Sequence, residues 1–528
     1  MITDFFYPNI GGVESHVYNN SQCLILRGHK VVVVTHAYGK RSGVRYLAGG
    51  LKVYYVPAPL IFGQASLPTF FCTFAIFRNI FIREGIEIVH GHQAFSTFCH
   101  EAILHARTMG LKTVFTDHSL LGFADVSGIL MNKLLKFTLS DVGHVICVSH
   151  TSKENTVLRA ALDPRFVSAI PNAIVPEYFE PIPLNLFQTE DRKKWITVVI
   201  LSRLVYRKGM DLLTVAIPRI CQMHKNVRFI IGGEGPKRVD LEQMREKYTL
   251  QDRVTLLGEI SASDVRNILI RGDIFLNTSL TEAFCISIVE AASCGLLVVS
   301  TKVGGIPEVL PEHMLTFAKP NENDIVDALS NTIFLAGKRK TQIEEMLSHK
   351  AHKHISKSAH SDGNIVFESR NAHSKKNISF FKPLIATSNI SKPLKPQMDF
   401  ISPQSFHNQV KSMYSWHNVA YRTEIVYHKV INLPEPPLIE RLRLYYGCGR
   451  VAGKLFCMVA VVDYLLMVLF EIIWPSSKIE MAPDFPARNY RKIMESRKHP
   501  SKYLYPSIVK YSNVFHQLQQ MATLLEIS

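Results

Sequence analysis

Short apolar runs alternate with helix-period segments along the first two thirds of this chain. Residues 30–35, 51–56, 86–90, 111–117 and 144–149 are rich in Val and Ile and bounded by polar residues or glycine, the mark of short buried strands. A second series follows at 196–201, 227–231, 253–257, 273–277, 296–300 and 315–317. Strand-like and helix-like segments in strict alternation predict α/β architecture with doubly wound parallel sheets. The Pro171-Asn172-Ala173 turn and the polar stretch 181–194 separate the two series. One domain is therefore expected over 1–178 and a second over 190–337.

Only a few residues precede Asn9, too few for a full strand, so the first strand of the first domain is expected to be shortened. The apolar run 67–77 ends at Arg78; it is too short to span a bilayer and reads as a core helix. Residues 338–405 are rich in Lys, Ser, Asn and His with little periodicity, the composition of a disordered insertion. Its histidines, His349, His352, His354, His360 and His373, lack the organised carboxylates or cysteines of a metal site. Pattern returns at 408–430, read as one helix. The segment 455–474 has about the 20 apolar residues a bilayer span needs. Asp463 and Glu471 interrupt it, and intramembrane carboxylates are costly unless they face partner helices. Residues 475–528 form a basic tail.

The stretch 277–295 reads strand, loop, helix, with Phe284, Ile288, Ala291 and Ala292 at helical spacing and Gly295 as the stop. Glu282 and Glu290 lie eight residues apart. Were both helical, about 12 Å of axis would separate them, wider than the ~5–9.5 Å of paired glycosidase carboxylates. Other strand-to-helix loops also carry chemistry. Gly11-Gly12 opens a helix whose N-terminus favours a diphosphate. Arg203, Arg207 and Lys208 share one loop and suit a phosphate clamp. Gly232-Gly233-Glu234-Gly235-Pro236 and Gly304-Gly305-Ile306-Pro307-Glu308 are further glycine-rich loops, and His118 follows a strand. Each alone is equally an ordinary turn, solvated loop or core histidine.

Composition adds three constraints. The chain has 528 residues and 47% apolar content, enough for two or three cores. A net charge of +16 favours phosphate-bearing partners without choosing among them. Nine cysteines without zinc-type spacing suit a reducing compartment. The first residues have no basic n-region or apolar core, so no signal peptide is expected. Arg441, Arg443, Arg450 and Lys454 before the apolar segment balance Lys478, Arg488, Arg491 and Lys492 after it. The positive-inside rule therefore gives no orientation.

Together, GGVESH (11–16), SRLVYRKG (202–209), GGEGP (232–236), GGIPE (304–308) and the Glu282/Glu290 pair resemble the retaining GT-B glycosyltransferases of family 4. THAYG (35–39), TDHSLLGFADVSG (116–128), CVSHTSKENTVLRAAL (147–162) and NTSLTEAFC (277–285) are similar to the catalytic subunits of phosphatidylinositol N-acetylglucosaminyltransferase, which opens GPI-anchor assembly. The resemblance covers about residues 4–336, then 408–430 and the apolar segment. It implies a GT-B fold, two Rossmann-like domains facing a cleft, with a C-terminal transmembrane helix. It implies UDP-GlcNAc as donor, phosphatidylinositol as acceptor, retention of configuration, and no cofactor or essential metal.

By the same resemblance, Gly11 and Gly12 would meet the diphosphate from one side and Arg203 and Lys208 from the other, and Glu14 would belong to the substrate-binding site. Glu290 would hold the ribose hydroxyls. Glu282, His118 and the backbone at Phe284 and Cys285 would face the transferred sugar, and Gly233 and Glu234 would line the donor site. The implied setting is the endoplasmic reticulum membrane, single-pass, with cytosolic catalytic domains and other subunits of the transferase complex; nucleic acid is not an expected partner. The alternatives are a family-4 transferase with another acceptor and a non-catalytic scaffold protein of the same complex.

Overall fold

The computed structural model describes residues 1–62, 64–120, 126–183, 190–358 and 402–485. Part of the 116–128 motif, most of the expected insertion and most of the basic tail therefore lie outside the described residues.

The first domain begins with α1 (Gly12–Leu26), β1 (Val32–His36), β2 (Gly43–Tyr46) and β3 (Lys52–Val56). The hairpin β4 (Leu60–Phe62) and β5 (Ala65–Ser66) leads to α2 (Phe74–Glu84). Then come β6 (Ile88–His92), α3 (Thr97–Thr108), β7 (Lys112–Asp117), α4 (Val126–Leu139), β8 (His144–Cys147), α5 (His150–Ala160) and β9 (Val167–Ala169). Two sheet segments run β1-β3-β2 and β6-β7-β8-β9. Ile2 joins them, bridging Val34 on one side and Gly91 on the other, both parallel. The expected short first strand is thus a single bridging residue, but it holds the central position. Its N–H donates to His90 O at 2.8 Å, and its carbonyl accepts from His92 N at 3.0 Å.

The second domain holds α6 (Glu190–Lys194), β10 (Ile196–Leu201), α7 (Met210–Met223), β11 (Val227–Gly232), α8 (Arg238–Lys247) and β12 (Val254–Gly258). It continues with α9 (Val265–Leu269), β13 (Ile274–Asn277), α10 (Ile286–Ser293), β14 (Leu297–Thr301), β15 (Leu315–Ala318) and α11 (Glu322–Ser358). Its sheet, β12-β11-β10-β13-β14-β15, is parallel throughout. The strand order reverses between β10 and β13, where ligands of such sheets bind. Val198, Val199, Phe229, Ile274 and Val299 are almost wholly buried, since helices cover both faces.

Three expectations change. The domain does not end at Gly337, because α11 continues to Ser358. Arg339 donates to Gly295 O at 2.8 Å, Lys340 pairs with Asp273 at 2.9 Å, and Ile343 is 3% exposed; these contacts fix the extra turns. Residues 408–430 are not one helix but parts of α12 (Pro403–Met413) and α13 (Trp416–Ile431). The break lies at Tyr414, whose hydroxyl donates to Val309 O. The run 67–77 is helical only from Phe74. Before it, Thr69 Oγ1 and Thr73 N both donate to Glu101, which holds that segment as a loop.

Helices α14 (Leu438–Tyr446) and α15 (Ala452–Ile473) form a hairpin on the first domain. The carboxylates inside α15 find their partners within the chain itself. Asp463 meets His105 of α3 at 2.7 Å with both side chains fully buried, and Glu471 meets Arg78 of α2 at 2.5 Å.

Candidate active site

The cleft is built from loops at the carboxyl edges of the two sheets. After β10, the loop 202–209 is fastened to the loop after β13. Thr278 Oγ1 donates to Lys208 O at 2.9 Å, and Leu280 N donates to Arg207 O at 2.8 Å. Gly209 has φ +71°, and a Cβ there would lie 1.9 Å from Thr278 O; only glycine permits this approach. Gly233 is held likewise, at φ +135° with a Cβ position 1.8 Å from Ser202 O.

Lys208 Nζ pairs with Glu282 Oε1, and Ser279 Oγ donates to the same oxygen at 2.9 Å. Burial alone would lower the Lys208 ammonium, but Glu282 beside it more than offsets this and its pKa is raised. Arg203 is exposed and acts on Lys208 and on Glu14 of α1. Burial raises the Glu14 carboxyl, and the Arg203 charge opposes that rise.

The first domain's glycine turn comes directly against the second domain. A Cβ on Gly12 would lie 3.5 Å from Ile286 Cδ1, at the first turn of α10. The N-termini of α1 and α10 thus converge beside Arg203 and Lys208. Backbone N–H groups, two helix dipoles and two cations together favour a diphosphate.

Helix α10 starts at Ile286, so Glu282 and Phe284 lie in the preceding loop and not on the helix. The two carboxylates differ as a result. Glu282 is engaged by Lys208 and Ser279, whereas Glu290 has no side-chain partner among the described residues. Burial pushes the Glu290 carboxyl up to about 7. Such a group suits a ligand hydroxyl that supplies the missing hydrogen bond. Phe284 packs edge-on to Tyr414 at 5.7 Å, and Cys285 caps α10 at φ +70°. The Glu234 carboxylate is turned to Arg238 on the helix that follows it, while its carbonyl accepts from Leu204 N at 2.8 Å.

His118 joins two histidines that no local pattern groups with it. His92 Nδ1 lies 3.3 Å from His118 Nε2, and the His16 and His118 rings are 4.6 Å apart. One nitrogen from each of the three lies within 4.8 Å of the others, so the trio could hold a metal ion. Burial lowers His118 and His92 well below their usual value, and His16 to about 4. All three are neutral near pH 7, and Asn172 Oδ1 accepts from His16 Nδ1 at 2.8 Å.

Residues 182–347 match the family described as glycosyl transferases group 1, and residues 36–125 match the family described as GPI anchor biosynthesis. The chain is 52% identical over 484 residues to the phosphatidylinositol N-acetylglucosaminyltransferase gpi3 subunit of Schizosaccharomyces pombe, covering 92% of both chains. It is 48% identical to the corresponding phosphatidylinositol N-acetylglucosaminyltransferase subunit of Homo sapiens, over 92% of this chain and 87% of that one. The chain belongs to the gpi3 family of phosphatidylinositol N-acetylglucosaminyltransferase subunits. This membership makes it a glycosyltransferase-type subunit of GPI-anchor biosynthesis that works within a multi-subunit transferase.

The fold agrees. Sucrose-phosphate synthase of Thermosynechococcus elongatus superposes with TM-score 0.56 at 17% identity, over 79% of this chain and 93% of that one. The starch synthase IV catalytic domain of Arabidopsis thaliana gives 0.52 at 15%, over 82% and 99%. The chain has the GT-B fold.

Within this gpi3-family chain, the GGIPE loop does something its glycines did not announce. Glu308 accepts from His150 N and Thr151 N at 2.6 and 2.8 Å, capping α5 of the opposite domain. Ser149 Oγ donates to Ala283 O at 2.7 Å beside it. The loop ties the domains together, and its Gly305 N donates to Glu282 O at 2.9 Å. No local pattern could reveal that Glu308 caps a helix about 150 residues earlier; only the GGIPE motif marked the loop at all.

Proposed function

We propose that the chain transfers N-acetylglucosamine from UDP-GlcNAc to phosphatidylinositol with retention of configuration. The observation that carries this reading is the convergence of Arg203, Lys208 and the N-termini of α1 and α10, with an unpartnered Glu290 on α10 itself, in a chain of the gpi3 family. The diphosphate sits between Gly11-Gly12 and the two cations, and Glu290 accepts from the ribose hydroxyls. As the bond from the sugar C1 to the phosphate oxygen breaks, Arg203 and Lys208 stabilise the charge growing on UDP. They take the part a metal would otherwise play, so no cofactor is assigned.

The inositol hydroxyl attacks C1 on the face the leaving group vacates, and a donor phosphate oxygen accepts its proton. Glu282 orients Lys208 and faces the sugar together with His118, whose neutral ring can hydrogen-bond a sugar hydroxyl. Gly233, Phe284 and Cys285 shape the donor site through their backbone, and Glu234 adds its carbonyl rather than its carboxylate. The chain works at the cytosolic face of the endoplasmic reticulum, attached through α15 and assembled with the transferase's other subunits.

The test is complementation of cells lacking this subunit, read as surface GPI-anchored protein, together with label transfer from UDP-GlcNAc to phosphatidylinositol in their microsomes. Restored complex assembly without label transfer would reject catalysis and favour a scaffold role. Transfer to a different acceptor would reject the assigned lipid.

A further inference from the structure

Three imidazoles meet on the first-domain wall of the cleft. His92 ends β6 and stands opposite Thr116 of β7 in the parallel register. His118 lies two residues past Thr116, so the alternation along a strand returns it to the His92 side. His16, early in α1, reaches the same point. Trp416 of α13 packs on the His16 ring, edge-on at 5.4 Å. His16 and His92 are buried, and His118 is the most open of the three.

The distance from His92 Nδ1 to His118 Nε2 is 3.3 Å, long for a hydrogen bond. It matches the edge of a tetrahedron, about 3.3–3.4 Å when the Zn–N bonds are about 2.0–2.1 Å. A His16 nitrogen completes a set in which every pair lies within 4.8 Å. Reaching the tetrahedral edge requires the rings to draw together by no more than about 1.5 Å. The other nitrogens are placed as in metal-binding imidazoles, which hold a partner behind the ligand atom. Asn172 Oδ1 accepts from His16 Nδ1 at 2.8 Å, which fixes the tautomer and leaves Nε2 for an ion. His92 Nε2 faces the Met1 sulfur at 3.0 Å, which leaves Nδ1. His118 Nδ1 is buried without a partner among the described residues, and its Nε2 is the nitrogen that faces His92. No carboxylate belongs to the set. Mg2+ and Ca2+ take oxygen ligands, whereas imidazole suits Zn2+ and its neighbours.

We propose that His16, His92 and His118 form a reversible, inhibitory site for a divalent transition ion of the Zn2+ class, with a fourth coordination position open to the cleft. Three imidazole ligands leave the charge of the ion uncompensated. Arg203, Lys208 and the positive N-terminal end of α1 share the same cleft and oppose a further cation. The ion is therefore exchangeable and not a resident part of the protein. While bound, it occupies the His118 nitrogen that would otherwise meet a sugar hydroxyl. That consequence rests on the sugar-facing role given to His118 above; the binding itself does not.

The purified transferase complex, with this chain at full length, is titrated with Zn2+ alone, its free concentration set by a chelator buffer. The wild type should show a binding step that His92→Asn lacks, and His16→Asn and Asn172→Ala should each weaken that step by about tenfold or more. Mg2+ at the same free concentration should not compete. Equal Zn2+ binding in the wild type and all three variants overturns the site. A second measurement needs no variant: X-ray absorption of the Zn2+ bound by the wild type should show imidazole nitrogens at about 2.0–2.1 Å, and an all-oxygen shell overturns the site. Label transfer from UDP-GlcNAc, followed over the same buffered range, should fall as the site fills and recover on chelation. The residual transfer of His92→Asn should need about tenfold more Zn2+ to be halved. Binding without loss of transfer overturns the inhibitory role. A complex that transfers no label before Zn2+ is added counts against the reaction assigned above, while the binding titration still decides the metal site.

Discussion

Lys208 and Glu282 form a largely buried ion pair that joins the loop after β10 to the loop after β13, and Ser279 secures the same carboxylate oxygen. The pair sets the position of one of the two cations that the proposed mechanism brings to a leaving diphosphate. Its energetic meaning lies in position more than in stability, because a buried pair gains little net free energy over its desolvation cost.

Replacing either cation should therefore cost rate and leave the fold intact. Arg203→Ala and Lys208→Ala are each expected to slow turnover at least tenfold, since a removed charge stabiliser is worth about 2–4 kcal/mol. Turnover at saturating UDP-GlcNAc checks this, with thermal unfolding as the control. Unchanged rates in both variants would take these residues out of the site.

Glu290 carries a pH signature. Its carboxyl is held near 7 in the folded chain against a usual 4.5. The folded state thus binds a proton that the unfolded state releases between those values, so this group's contribution to stability falls as pH rises from about 4.5 to 7. Glu290→Gln should remove that slope and stabilise the unliganded protein at pH 8 by on the order of 3 kcal/mol. Denaturant unfolding at pH 5 and pH 8 measures it.

The same substitution should weaken donor binding more than Glu282→Gln does. Glu290 is the unpartnered carboxylate, whereas Glu282 is already bound to Lys208 and Ser279. Titration with UDP-GlcNAc decides the order, and the reverse order rejects the ribose role.

Glu308 ties the domains by capping α5. Glu308→Ala should destabilise the chain by about 1–2 kcal/mol, the usual range for a lost cap. Amide exchange should speed first at His150 and Thr151. If exchange there stays slow, the cap is not what holds that helix end.

A deletion series should separate α11 from the segment beyond it. Removing residues 360–400 should leave activity largely intact, as the Lys-, Ser- and Asn-rich composition suggests. Starting the deletion at 338 removes Arg339, Lys340 and Ile343 from the second domain and should lower its unfolding midpoint by several degrees. Equal midpoints for the two deletions would contradict the assigned contacts.

Strand and loop positions were legible in the sequence because they depend on neighbours. Val/Ile runs, the polar residues that end them and glycine-bearing turns act within a few residues, and every strand read from such runs is present to within two residues at each end. The motifs also placed Arg203, Lys208, Glu282 and Glu290 at the carboxyl edge of one sheet. Only tertiary structure decided which carboxylate is engaged, since Glu282 becomes Lys208's partner through a contact 74 residues apart. The grouping of His16, His92 and His118 was equally invisible, because three elements must pack before their rings meet. Asp463 and Glu471 show the same limit most clearly. In the sequence they interrupt an apolar segment, and nothing near them says what neutralises them. Their partners, His105 and Arg78, lie 358 and 393 residues away, and pairing with them, fully buried for Asp463 and half-exposed for Glu471, is what makes two carboxylates tolerable on so apolar a helix.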